Sequence, residues 1–536
     1  MPPRRAPRAP QLLICLCLLL LLPAAAFGQP TEKTGQTASG AYYKFRVPAD
    51  WTPAKGLVIW NHGYSFNPIG PAPDLGPLVD LQILQGYAVA ASSYSLSQWA
   101  VFNTVADNEQ MVQAFHAEYG VPAFVLVYGA SLGGLVTVQT VEQAEIGNVV
   151  GAMPICGALS GSRAWDGAID ARLLYDVVCD EVPGASIPGG ATGLPFPPPA
   201  NFDQVALGTA LHHCFGLALP QPQRSVDQQQ RLTRYLQLTG LPENFVITVM
   251  GFSTFGLADL IYHPAKLNGA IHAVDNANVN YGDIAVNAAI ERVTGIPAQR
   301  ELLANNYTPN GNVGNVKIVS LHTDKDGLVI LENETDYASK VPANRFSLGI
   351  IREDVPSHCD FNDAELVAGW ESLRGWALAG QPQPTAASMQ GLCSLIEGSG
   401  AAPGPCRIDP TIQLPPVDTR IRDRAVCTAD SFTLCLNNDR FEVKVVAKDF
   451  DGVTHTGKAV PQTADTGAFW YFSADNLELM IKVLDGRQIN GKFWVFYGSL
   501  SDVEFDITVR DTQTGVVKTY HNNRATFASR GDIDAF

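Results

Sequence analysis

From about residue 41 to 380, short apolar runs alternate with segments of helical period. That alternation holds the chain to a mainly parallel sheet with helices on both faces. Tyr42–Val47 reads as a first strand by its period of two. Residues 56–60, 87–91, 124–128, 149–155, 316–321 and 346–351 read as further strands. Helices are expected over 105–119, where Met111, Val112, Phe115 and Tyr119 share a face, and over 363–378. The alternation lapses from about Cys156 to Thr308. Helical patterns at 227–239 and 284–294, with a Gly/Pro loop at 182–199, mark this stretch as a helical cap over the carboxyl edge of the sheet.

The apolar run 124–128 leads into Gly129-Ala130-Ser131-Leu132-Gly133-Gly134, and Leu135-Val136-Thr137-Val138 then re-enters a helix. A buried strand, a tight turn of small residues and a helix are what a serine nucleophile elbow requires. Gly129 and Gly133 remove side chains that would clash with a strained Ser131. The helix that follows aims its positive dipole end at the reacting centre.

A serine hydroxyl needs a base, and the base needs an acid to fix its tautomer. His358, in Pro356-Ser357-His358-Cys359-Asp360-Phe361, sits in a loop after the strand 346–351 and is the candidate base. Asp326 follows the strand 316–321 at a turn tip before Gly327-Leu328-Val329 and is the candidate acid, with Asp324 as its competitor. Other histidines fit less well. His62 suits a brace for its loop, His116 lies within a helix and His322 ends a strand. His212, His213, His263 and His272 fall in the cap, and His455 and His521 lie beyond the linker.

The order Ser131, Asp326, His358, the strand–elbow–helix and the loop Asn61-His62-Gly63-Tyr64 together resemble the α/β-hydrolase family over about 41–380. The stretches 322–329 and 357–361 are similar to those of secreted bacterial esterases. The resemblance implies an ester-cleaving acyl-enzyme mechanism needing no metal or organic cofactor. It also implies backbone N–H groups of Leu132 and Tyr64 as the oxyanion hole, the single glycine after His62 suiting the branch that uses backbone donors.

Arg4, Arg5 and Arg8, the apolar core 12–22 and the small residues 23–28 form an expected signal peptide, 1–28, for a secreted (extracellular or periplasmic) protein. No later segment reaches about 18 uninterrupted apolar residues, so no membrane span is expected. Beyond the leader remain Cys156, Cys179, Cys214, Cys359, Cys393, Cys406, Cys427 and Cys435, an even set that favours disulfides. Cys393–Cys406 and Cys427–Cys435 are the short-range candidates. The other four allow three pairings; Cys156 is one candidate partner for Cys359, with Cys179, Cys214 and Cys393 also open. No spacing suggests zinc. A formal net charge of −16 argues against nucleic acid.

The expected division is therefore a leader at 1–28, an α/β-hydrolase unit at 39–380 with its cap at 156–308, a Gly/Pro/Ala/Ser-rich linker at 381–420, and an all-β, sandwich-like unit at 421–536 whose strands alternate with period two. In the runs 469–472 and 493–497, half the aromatic rings face outward. A second sheet is expected to cover them; the other reading is contact with a polymer or cell surface. The expected function is hydrolysis of carboxylic esters. A serine peptidase of the same fold is the first alternative, with Asp166, Asp170, Asp176, Asp180 and Glu181 as a site for a substrate amine. A non-catalytic binding protein is the second.

Overall fold

The computed structural model describes residues 28–190, 201–416 and 427–536, apart from 278, 280, 282, 428, 438, 439, 491 and 513–515. The expected leader (save Gly28), the prolines at 197–199 and the expected junction at 420–421 lie outside the described residues.

Eight strands form the main sheet: β1 (Thr31–Gln36), β2 (Tyr42–Val47), β3 (Leu57–Asn61), β4 (Ala88–Ser92), β5 (Val125–Ala130), β6 (Val149–Ile155), β7 (Lys317–Thr323) and β8 (Phe346–Ile351). Their order is β1-β2-β4-β3-β5-β6-β7-β8. β2 runs antiparallel to β1 and β4, and the rest pair in parallel. β3 and β4 are buried at every residue, as central parallel strands covered on both faces must be. With the helical insertion between β6 and β7, this is an α/β-hydrolase fold.

β1 precedes the expected start at residue 39. Its sequence, TEKTGQ, carries no apolar alternation because it is a largely exposed edge strand held by backbone pairing to β2. The pattern at 284–294 is helical only over Ile284–Ala289. The buried Asn276 takes the N–H of Val293 on its Oδ1 at 2.7 Å, drawing the chain out of the helix.

Residues 381–420, expected as a linker, hold a further helix, Ala386–Ser399. Thr385 and Ser388 form its capping box, Gly400 ends it in the left-handed region, and Met389, Cys393 and Ile396 are buried. These three join Trp370 and Leu373 of the helix Asp363–Leu378 in one apolar cluster. Small residues between them mask the 3.6-residue period in the composition.

The C-terminal strands form two five-stranded antiparallel sheets. Val443, Val445 and Ile507 of one and Ile481, Val483 and Val495 of the other meet in a single apolar cluster, the core of a sandwich. The second sheet does not cover the outward rings. Trp494 and Phe496 lie half-buried, each so close over a glycine of its own chain (Gly486 and Gly531) that a Cβ there would meet ring carbons at 2.1 and 2.7 Å.

Candidate active site

β5 ends at Ala130, and the helix Leu132–Gln143 begins one residue after Ser131. Ser131 joins them at φ 58° and ψ −123°, a strained conformation for any residue with a Cβ. Its N–H donates to Ile155 O at 2.9 Å. Glycine is required on either side. A Cβ on Gly133 would stand 2.0 Å from Asn61 O, and one on Gly129 would stand 2.4 Å from Gly133 O. Behind the turn, Asn61 Nδ2 donates to Thr137 Oγ1 at 3.2 Å, and Asn108 Nδ2 donates to Asn61 Oδ1 at 3.0 Å. These buried amides tie the end of β3 to the helix.

The structure brings Asp326 and His358 to this serine. His358 Nε2 lies 2.9 Å from Ser131 Oγ, and His358 Nδ1 lies 2.6 Å from Asp326 Oδ2. Asp326 is fixed by its own loop, because Oδ1 accepts the N–H groups of Leu328 and Val329, both at 2.9 Å. Its side chain is fully buried. Asp324 serves the loop instead, accepting Glu353 N–H at 2.8 Å. Several contacts brace the loop of His358, Arg407 on Asp360 among them. The Ser357 hydroxyl donates to the buried Glu353 carboxylate. Asn244 Nδ2 donates to Pro356 O at 2.8 Å. Cys359 is paired with Cys156. The remaining pairs are Cys179–Cys214, Cys393–Cys406 and Cys427–Cys435.

His62 stacks on Tyr94 with ring centroids 4.1 Å apart and sets Nδ1 2.7 Å from Gly63 O. Burial holds its imidazole below the ordinary range, as it does for His322 behind the Asp326 loop. Gly63 passes close over the elbow, where a Cβ would lie 3.4 Å from Ser131 Cβ. Tyr64 then turns into the cavity above Ser131, its hydroxyl donating to Gln98 Oε1 at 2.8 Å.

That cavity measures ≈ 160 Å³ and is lined by Ser131, Leu132 and Tyr64 from the sheet side. Trp165, Val249 and Phe252 line it from the cap. Phe252 opens a π-helical turn, Phe252–Gly256, inside the cap helix 243–262, and its ring meets that of Tyr64 at 4.7 Å. Such turns are frequent at functional sites. This helix is long and apolar enough to cross a membrane by composition, yet 61% of its apolar 18-residue window is buried inside the protein.

The acidic residues of the cap do not assemble into one site. Asp166 takes both Arg300 guanidinium nitrogens, at 2.7 and 3.0 Å, and Asp176 pairs with Arg172. Asp180 and Glu181 are exposed. Asp170 alone of the five lines the cavity. Among the described residues no group of three His, Cys, Asp or Glu side chains is placed to hold a metal ion. The cavity walls from the cap (Trp165, Phe252, Tyr281) had no local signal in the sequence, since each lies in a stretch without strand–helix alternation.

No family model and no curated protein matches the chain. Among solved structures it is similar to the rice cell wall degrading esterase LipA from Xanthomonas oryzae, at 15% identity over 65% of this chain and 88% of that one, with a TM-score of 0.31. It is also similar to the Pyrococcus furiosus esterase PF2001, at 12% identity over 72% and 98% of the two chains and a TM-score of 0.33. Lipase A of Candida antarctica in its closed state gives 13% identity, 68% and 86% coverage and a TM-score of 0.34. At such scores these likenesses bear on neither substrate nor residue roles.

Proposed function

We propose that the protein is a secreted serine hydrolase that cleaves carboxylic esters through an acyl-enzyme. The observation that carries this reading is the relay from Ser131 Oγ through His358 to Asp326, at 2.9 and 2.6 Å. Ser131 Oγ attacks the ester carbonyl while His358 Nε2 takes its proton. Asp326 holds the Nδ1–H and offsets the charge of the imidazolium. The N–H groups of Tyr64 and Leu132 receive the oxyanion, an interaction whose loss typically costs ~100- to 1000-fold in rate. His358 returns the proton to the leaving alcohol, then activates the water that releases the acid. These steps call for no metal or organic cofactor.

Four cysteine pairs at disulfide distance support an extracellular or periplasmic site of action. The C-terminal sandwich, with Trp494 and Phe496 on an outer face, is assigned contact with a polymer or cell surface. The acidic residues of the cap are dispersed, with Asp166 on Arg300, Asp176 on Arg172 and Asp180 and Glu181 exposed, which disfavours the peptidase reading. The assembled relay disfavours a purely binding role.

The test is turnover of short p-nitrophenyl esters against aminoacyl anilides. Esters are expected to be cleaved, with a loss of roughly ten-thousand- to million-fold in Ser131→Ala. Preference for the anilides would favour the peptidase, and failure on both would leave the binding protein.

A further inference from the structure

The cap helix Ala164–Val178 turns Ala164, Gly167, Ala168 and Ala171 toward the cavity above Ser131. This is one helical face, at i, i+3, i+4 and i+7. Small residues along it leave the space open. The resulting ≈ 160 Å³ is close to the volume of about 150 Å³ in which an apolar protein cavity holds one benzene ring. Trp99, Trp165 and Phe252 add flat aromatic walls.

Into this apolar setting the same helix places Asp170. It is the only carboxylate among the described lining residues, which include no lysine or arginine, and it is 5% exposed. Its position is built from behind. The Tyr281 hydroxyl donates to Asp170 Oδ1 at 2.5 Å, and the fully buried Asn276 donates through Nδ2 to the Tyr281 oxygen at 3.0 Å. Burial pushes the Tyr281 phenol far above its ordinary range, so it remains a donor. A carboxylate accepts several hydrogen bonds at once, so a donor on a ligand can join the partners that Asp170 already has.

Building on the esterase reading, we propose that the cavity takes the ring of a hydroxyaryl ester, with the ring hydroxyl donating to Asp170. The volume and the aromatic walls select a single ring. A neutral hydroxyl meeting a carboxylate forms a charge-assisted bond, whereas an ammonium group would have to shed its hydration in an apolar cavity with one counter-charge. Asp170 is thus a specificity-determining residue, distinct from those that perform the bond cleavage.

The experiment compares kcat/KM of the full chain for methyl 3-(4-hydroxyphenyl)propanoate, its 3-hydroxy isomer and methyl 3-phenylpropanoate. Two methylenes insulate the carbonyl from the ring substituent, so the intrinsic reactivities match. The wild type is expected to favour one hydroxylated ester by about 10- to 100-fold, the range of a hydrogen bond to a charged group. Asp170→Asn, and independently Tyr281→Phe, are expected to bring that ratio toward one. A wild-type ratio within about two-fold of unity, with the unsubstituted ester still cleaved, overturns the proposal and leaves the esterase reading standing. Preference for the 4-(aminomethyl)phenyl ester over the phenol overturns it in favour of a cation. Turnover of none of these methyl esters by a protein that cleaves p-nitrophenyl esters overturns the proposal alone, and failure on the p-nitrophenyl esters as well overturns both readings. The wild-type ratio decides the matter even where a variant fails to fold.

Discussion

Cys359 Sγ lies 3.4 Å from Nε2 of His358 while bonded to Cys156, the residue that follows β6. The imidazole is therefore pinned beside the elbow by a covalent link one residue away. Both cysteines sit at positive φ, 43° and 58°, so each loop holds an uncommon conformation at the point of attachment. Replacing both with serine is expected to lower kcat by about 10- to 100-fold with little change in KM, since small misplacements of a reacting group are costly. The free energy of unfolding should fall by about 2–5 kcal/mol. Steady-state kinetics and denaturant unfolding check both parts, and an unchanged kcat would show that the loop holds itself.

Strain at Ser131 predicts an opposition between stability and activity. Ser131→Ala keeps a Cβ at φ 58°, whereas Ser131→Gly relieves it. Both variants are expected to be inactive, with the glycine variant about 1 kcal/mol more stable than the alanine variant in thermal unfolding. Equal melting temperatures would argue against stored strain.

Glu334 lies fully buried behind β7, where its Oε1 accepts the Ser320 hydroxyl at 2.7 Å. Burial pushes its carboxyl up to about 8 from an ordinary 4.5. The folded state thus binds more protons than the unfolded state between these values, and the stability contributed by this group falls as pH rises through that window. Glu334→Gln carries no charge to bury. It is expected to flatten the pH dependence between about 4.5 and 8 and to be more stable at pH 8 by on the order of 4 kcal/mol. Parallel stability curves for wild type and variant would contradict this.

Gly327 follows Asp326 and faces the start of the cap helix, where a Cβ would meet the Phe245 ring at 2.5 Å and Pro242 at 3.0 Å. Gly327→Ala is expected to cost about 1–3 kcal/mol by overpacking and to lower kcat by shifting Asp326. Adding Phe245→Ala should restore part of the lost activity, a rescue that a defect confined to the glycine backbone would not permit.

Much of this arrangement is legible in the chain because local rules and global fold agree there. The run 124–134 states strand, turn and helix in order, and β8 and the helix Asp363–Leu378 fall on their expected bounds. Turn geometry favours Asp326 over Asp324 as the candidate acid, and the two carboxylates have separate partners in the structure, His358 and Glu353 N–H. Tertiary context hides the rest. β1 is specified by pairing with β2 more than by its own side chains, and the helix Ala386–Ser399 is concealed by small residues. Asp170 reads along the chain as one acid among five. Only the fold separates it from Asp166 and Asp176, neither of which lines the cavity, and brings it to that space.

Cys156 and Cys359 stand 203 positions apart, and the whole cap, β7 and β8 lie between them. Their bond makes that stretch a closed ring. A single cut by an external protease in a surface loop of the ring leaves every segment still joined to the rest. The first nick linearises the loop without releasing a fragment, so the roof over the serine survives damage that would detach it from an uncrosslinked chain.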